Sequence, residues 1–290
     1  MELTKVSAVI ITYNESANIN RTLCQLWWCD EIIIVDSFST DNTLDICRKH
    51  RCKIYQRSFD GYGTQKQYAV SLAKNNMVLC VDADEVLTDE LISEIRQELI
   101  APAADGYMMQ MNFVFFGKVF HYGKESKKYY MRLFDKNKGG FNAKKVHEGV
   151  EFIGTTKKLK EKIYHYSYKN IAHYFDKFNR YSSLGATLAF ENSKKKSMGL
   201  ILISLPFYFI RYYFIEGNFK NKLQGFYWSV FNAFYHFVKY IKIKEAYQQE
   251  KQRNTELAEV TLGETFKKDN TAAIINVQKS EPHFNLIKHG

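Results

Sequence analysis

Asp82 and Asp84 stand one residue apart at the end of the apolar run MVLCV, and Glu85 follows directly. If the extended chain continued through them, side chains two apart would point the same way. Two like charges so placed repel unless a cation lies between or beside them. Hard carboxylate oxygens favour Mg2+ or Mn2+, and those ions usually complete their shells with water and substrate phosphates. The spacing therefore predicts a seat for a metal-bound diphosphate, where the cation neutralises charge building on a departing phosphate.

Two other clusters have the same character. SAVIITY runs into Thr12, Tyr13, Asn14 and Glu15, and EIIIV runs into Asp36, Ser37 and Ser39. Each cluster alone could equally be a helix cap or a turn. Three of them closing three apolar runs point to a common ligand. The chain holds neither G-x-G-x-x-G nor G-x-x-x-x-G-K-[ST], which argues against a dinucleotide fold and a P-loop.

The elements that must position these groups alternate. Apolar, β-branched runs at 7–13, 31–37 and 77–82, with a shorter one at 52–56, read as buried parallel strands. Between and after them, residues 14–26, 39–50, 64–76 and 88–100 carry helical spacing, with Ser39 and Thr40 as candidate N-caps. Alternation of this kind predicts an α/β fold, a mainly parallel sheet flanked by helices. Such sheets bind ligands beyond the carboxyl ends of their strands.

These blocks resemble the family-2 inverting glycosyltransferases, which have a GT-A (Rossmann-like) fold. VIITYNESANI, IIIVDSFSTDNTLDI and VLCVDADE match the three nucleotide-binding blocks in order and spacing. GYGTQKQYAVSLA, RLFDKNKGGFNAKKVHEGV and NKLQGFYWSVFNAFYHFVKYIK further resemble the lipopolysaccharide-core β-1,4-glucosyltransferase subgroup. The resemblance implies that Thr12, Tyr13, Asn14 and Glu15 line the nucleotide pocket, and that Asp36 binds the uracil with Ser37 nearby. It places Lys66 near the base and phosphates, Asp82 on ribose and metal, and Asp84 on the metal directly. An inverting transfer needs a carboxylate to deprotonate the acceptor hydroxyl. Glu148 is the leading candidate, with Glu151 and Asp135 as alternatives and Glu125 behind them. His147 would be a third metal ligand or an acceptor-orienting group. The processive synthases' Gln-x-x-Arg-Trp is missing, so one sugar is expected per encounter.

The second half has a different character. Residues 1–100 hold 10 Lys/Arg against 15 Asp/Glu, and residues 101–290 hold 31 against 16. That asymmetry suggests an anionic partner for the second half. MGLILISLPFYFIRYYFI (198–215) contains Pro206 and Arg211 and falls short of a clean span, which needs about 20 apolar residues. Aromatic and basic residues interleave through 198–240, as in helices lying at an anionic lipid interface. The expected organisation is a catalytic domain over 1–168, a helical, aromatic-rich membrane- or acceptor-associated region over 169–254, and a loosely ordered tail over 255–290.

The sequence, with the resemblance, thus predicts an inverting, metal-dependent, non-processive transferase moving a hexose, with glucose from UDP-glucose as the expected donor, onto a lipid-linked saccharide such as a lipopolysaccharide core. It would sit peripherally on the inner face of the cytoplasmic membrane, where five unpaired cysteines suit a reducing compartment. No basic start and apolar core of a signal peptide open the chain. A nucleotidyltransferase would bring a glycine- and basic-rich phosphate loop near the first strand, and none is there. A basic, aromatic membrane- or nucleic-acid-binding protein with a vestigial site is opposed by the acidic strand ends, which repel phosphate backbones, so nucleic acid is not an expected partner.

Overall fold

The computed structural model describes residues 3–142, 149–193 and 197–278. The chain runs β1 (Val6–Thr12), α1 (Ile19–Cys24), β2 (Glu31–Asp36), α2 (Thr43–Lys49), β3 (Lys53–Gln56), α3 (Tyr62–Ser71), β4 (Met77–Cys80), β5 (Glu85–Leu87) and α4 (Asp89–Ile100). It continues with β6 (Gly106–Phe115), β7 (Lys118–Val119), β8 (Tyr129–Asp135), β9 (Gly139–Phe141), β10 (Val150–Phe152), β11 (Thr156–His165), α5 (Ile171–Glu191), α6 (Met198–Ile210) and α7 (Lys222–Gln278). The main sheet has the order β3-β2-β1-β4-β8-β6-β11-β5, with β7 folded back on β6. It is flanked by helices, as a GT-A fold requires.

The first four strands of that order are parallel, in keeping with their helical crossovers. The remainder is mixed, with β11 parallel to β6. β8 pairs antiparallel with both β4 and β6, and β5 pairs antiparallel with β11. The connection from β6 to β8 carries only β7 and a short 3-10 turn, so no crossover helix forces a parallel return. Both faces of β1 are buried: Val6, Ala8 and Ile10 join one apolar cluster with Leu79, while Val9 joins another with Ile33, Val35 and Phe134. That burial explains the unbroken apolar runs.

Local differences have local causes. α1 begins at Ile19, since Asn14, Glu15 and Ser16 are spent in a loop whose amides donate to Ser39, Thr43 and Asp41. α7 continues past residue 254 to Gln278, where the sequence suggested a loosely ordered tail. The five cysteines are unpaired, and burial pushes the thiols of Cys47 up to about 11 and those of Cys52 and Cys80 to about 12. Those three are packing groups, not nucleophiles.

The chain forms two compact units. One comprises Met1–Lys177 with Pro206–Ala233, the other Phe178–Leu205 with Phe234–Gly290. In the first, the turn entering α7 is tied to the loop after β7. Asn221, 1% exposed, accepts from the amides of His121 and Tyr122 at 3.3 and 3.4 Å. Its Nδ2 donates to the Tyr122 carbonyl at 2.9 Å and to Asn218 Oδ1 at 3.2 Å. Gly123 (φ 98°) and Gly225 permit this approach, because a Cβ on either would fall 2.4 or 1.9 Å from Asn218 oxygens. In the second unit, Phe178 stacks on Phe234 at 5.6 Å, and Lys242 Nζ donates to Asn179 Oδ1 at 2.7 Å. Among the described residues, no single helix is long and apolar enough to cross a membrane.

Asn221→Ala should destabilise the fold by about 1–3 kcal/mol, because it removes the partner of the His121 and Tyr122 amides and of the buried Asn218 side chain. The urea midpoint measures this; a shift within error would mean water replaces the side chain.

Candidate active site

The carboxylates open the site differently from the extended-chain expectation. β4 ends at Cys80, and residues 82–85 form a turn closed by Glu85 N donating to the Asp82 carbonyl at 2.9 Å. The turn sends the two acidic side chains to different cations. Lys66 Nζ lies 2.8 Å from Asp82 Oδ1, and Arg132 Nη2 lies 3.2 Å from Asp82 Oδ2. Asp84 Oδ2 instead lies 3.3 Å from His165 Nε2 at the end of β11. Thr22 fixes the turn from α1, its hydroxyl lying 2.9 and 2.8 Å from the carbonyls of Ala83 and Glu85.

Arg132 also pairs with Glu85, whose other oxygen accepts from the Asp82 amide at 3.0 Å. Glu85 and Arg132 are buried, as is Lys66. Burial alone would raise the Asp82 carboxyl, yet the charges of Lys66 and Arg132 hold it well below the usual carboxylate range. Burial would lower Arg132 and Lys66, and their acidic partners reverse it, keeping both cationic. For His165 burial again pulls down, and Asp84 raises it above an ordinary imidazole.

The other expected nucleotide-binding groups form a second patch. Asp36 is fully buried at the end of β2, accepts from Ser39 N at 2.9 Å and pairs with the Ser39 hydroxyl. Asn14, at φ 54°, accepts from Thr40 N at 2.8 Å through its side chain. Ser37 N donates to the Thr12 carbonyl at 2.9 Å, and Ser37 Oγ accepts from Gln65 at 3.1 Å. Thr12 Oγ1 is buried with no hydrogen-bond partner among the described residues, and Tyr13 is exposed. Lys169 Nζ reaches this loop, donating to the Asn14 carbonyl at 2.9 Å and lying 3.6 Å from Glu15 Oε2. The loop conformation therefore rests on side chains from the β2–α2 connection and the start of α2.

Beside the charged cluster lies a cleft of about 500 Å3. Lys66, Asp82, Arg132 and His165 form one wall, and Phe113, Tyr168 and Trp228 contribute an aromatic one. His147 and Glu148 lie outside the described residues. Of the alternative bases, Glu125 is on the cleft wall, whereas Glu151 is exposed on β10 and Asp135 is bound to the Asn137 amide at 2.9 Å. Sequence reasoning missed Arg132, His165 and the role of Glu85. Its one available signal for Arg132 was a charge inside the apolar run YYMRLF.

The family model for glycosyl transferase family 2 matches residues 7–163. The chain belongs to that family. This family-2 glycosyltransferase is 31% identical over 259 residues to an uncharacterized glycosyltransferase of Rickettsia conorii, covering 83% of this chain and 90% of the relative. It is 29% identical to the lipopolysaccharide core biosynthesis glycosyltransferase LpsC of Rhizobium meliloti, covering 82% of this chain and 91% of LpsC. The crystal structure of Staphylococcus aureus TarS 1–349 aligns at TM-score 0.44 and 20% identity, over 85% of this chain and 92% of that one.

The donor set suits Mg2+ or Mn2+ in one respect. Both Asp82 oxygens are engaged by cations, but Asp84 Oδ1 has no partner among the described residues. No three His, Cys, Asp or Glu side chains converge on one point among the described residues. A hard cation would thus take Asp84 and draw its remaining ligands from phosphate and water, as Mg2+ commonly does.

Arg132→Met should cost about 3–5 kcal/mol, since it leaves Glu85 buried without its cation. The double variant Arg132→Met/Glu85→Leu should recover much of that loss in urea unfolding. A double variant as unstable as the single would show that the ion pair is not the source.

Proposed function

We propose that this chain is an inverting, metal-dependent, non-processive hexosyltransferase that moves glucose from UDP-glucose onto a lipid-linked saccharide of a lipopolysaccharide core. The observation that carries the reading is the charged turn at the end of β4, with Asp82 held by Lys66 and Arg132 and Asp84 held by His165. The likeness to LpsC supports the acceptor class.

In this reading the uridine lies along the loop after β1 and over Asp36, and the diphosphate faces the β4–β5 turn. Lys66 and Arg132 remain cationic and offset phosphate charge. Asp84, with His165 beside it, would hold Mg2+ or Mn2+, which supplies Lewis-acid neutralisation of the leaving diphosphate. The acceptor oxygen forms the new bond at the anomeric carbon as the bond to the phosphate oxygen breaks, and its proton passes to a carboxylate. Glu148 keeps that role by resemblance, and Glu125 is the alternative on the cleft wall.

The acceptor's lipid gives the apolar hairpin of the first unit a purpose. Phe207, Ile210, Phe214 and Ile215 are 54%, 51%, 57% and 76% exposed, with Arg211, Lys220 and Lys222 among them. Apolar surface of that extent, edged by cations, fits an anionic bilayer surface and supports a peripheral station on the inner face of the cytoplasmic membrane.

Calorimetry should detect UDP binding that Mn2+ strengthens, and Asp84→Asn should remove the metal's effect. Equal binding in EDTA would oppose the metal site. Glu148→Gln should abolish transfer while UDP affinity stays unchanged; if Glu125→Gln alone does so, the base is Glu125. Phe214→Glu/Ile215→Glu should release the protein from phosphatidylglycerol vesicles in co-sedimentation without changing UDP binding, and persistent sedimentation would place the lipid contact elsewhere.

A further inference from the structure

The first turns of α7 have two unlike faces. Asn221, Gly225, Trp228 and Ser229 are buried, at helical spacing. Leu223, Phe226, Tyr227 and Val230, spaced i, i+3, i+4 and i+7, are 57%, 41%, 39% and 37% exposed. A helix whose outward stripe is apolar inverts the usual amphipathic pattern and continues the proposed lipid-facing surface. Its inward stripe delivers Trp228 to the wall of the cleft that holds Lys66, Asp82 and Arg132.

Trp228 is held there firmly. Its ring lies 4.5 Å from Phe113 and 5.3 Å from Phe115, centroid to centroid, and 6.3 Å from Tyr168. Only 8% of it is exposed, and its indole N–H has no hydrogen-bond partner among the described residues. Buried tryptophans normally find a partner for that group. Here an aromatic ring whose N–H has no protein partner among the described residues lines the same cleft as Lys66, Asp82 and Arg132. A sugar ring has matching chemistry, with an apolar C–H face and a rim of hydroxyls. The donor's diphosphate is assigned to the charged wall, so the aromatic wall is left for the acceptor.

Resting on the glycosyl-transfer reading above, we propose that Trp228 binds a saccharide ring of the acceptor, through its face and its N–H, and so sets acceptor specificity. The helix then meets the acceptor's sugar with one face and its lipid with the other. The wall stands in the first compact unit and is tied to the loop before Glu125 by Asn221.

The chain has three tryptophans, so Trp27→Phe/Trp28→Phe leaves Trp228 as the sole reporter in the full-length protein. Deacylated lipopolysaccharide core oligosaccharide, added with UDP and Mn2+, should change its fluorescence saturably, over the concentration range of the acceptor KM. Trp228→Phe keeps an aromatic ring and deletes the N–H. It should raise acceptor KM about tenfold, the effect of one unmade hydrogen bond in a dry site, with little change in kcat or UDP affinity. An unchanged KM in the Phe variant, or silent Trp228 fluorescence while the oligosaccharide is turned over, overturns the proposal. Should Trp228→Phe not fold, the fluorescence titration decides alone. UDP binding, measured without oligosaccharide, tests the underlying reading separately: its loss in the parent chain removes both, and its presence with a silent Trp228 removes only this one.

Discussion

Asp82 lies between Lys66 and Arg132, and Arg132 in turn holds Glu85. Two carboxylates and two cations are thereby taken largely out of water, at a desolvation cost of several kcal/mol per ion that only well-formed pairs offset. Apolar packing could hold α3, β8 and the β4–β5 turn together, but it is indifferent to small rotations. Paired charges are not. Lys66 comes from α3, Arg132 from β8 and the two acids from the turn, so the ion network sets the angle at which these elements meet. It also holds Asp82 ionised and keeps Lys66 and Arg132 charged.

Much of the first hundred residues was legible because burial on both sheet faces leaves a clear trace. The runs around Ile10, Ile34 and Leu79 can hardly be anything but interior strands, and the polar residues that end them fall at the sheet's carboxyl edge. The direction of Asp82 and Asp84 was not legible. An alternation argument assumes an extended chain, and the turn closed by Glu85 breaks that assumption. The mixed second half of the sheet escaped for a different reason. Strand direction depends on what the connection contains, and β6 and β8 look alike whether a helix or a short hairpin joins them. Arg132 and His165 become site residues only through pairing with acids some 50 to 80 positions earlier, and no local window contains that fact.

In the helical region composition describes the surface and leaves the packing partners unmarked. Aromatic and basic residues after position 198 do form exposed apolar surface. Yet Trp228 packs on Phe113 and Phe115 of β6, and Asn221 bonds the loop after β7, so residues 206–233 complete the catalytic unit. The first compact unit therefore draws on chain well beyond residue 168.

Gly225 sits so near the Asn218 carbonyl that even a methyl group would collide with backbone. The turn that enters α7 therefore requires glycine at 225. A chimera that exchanges residues 206–233 between members of this family, glycine included, would import a new wall while keeping that turn. Diversification could then proceed by replacing one hairpin, while the ion-paired turn after β4 is inherited intact.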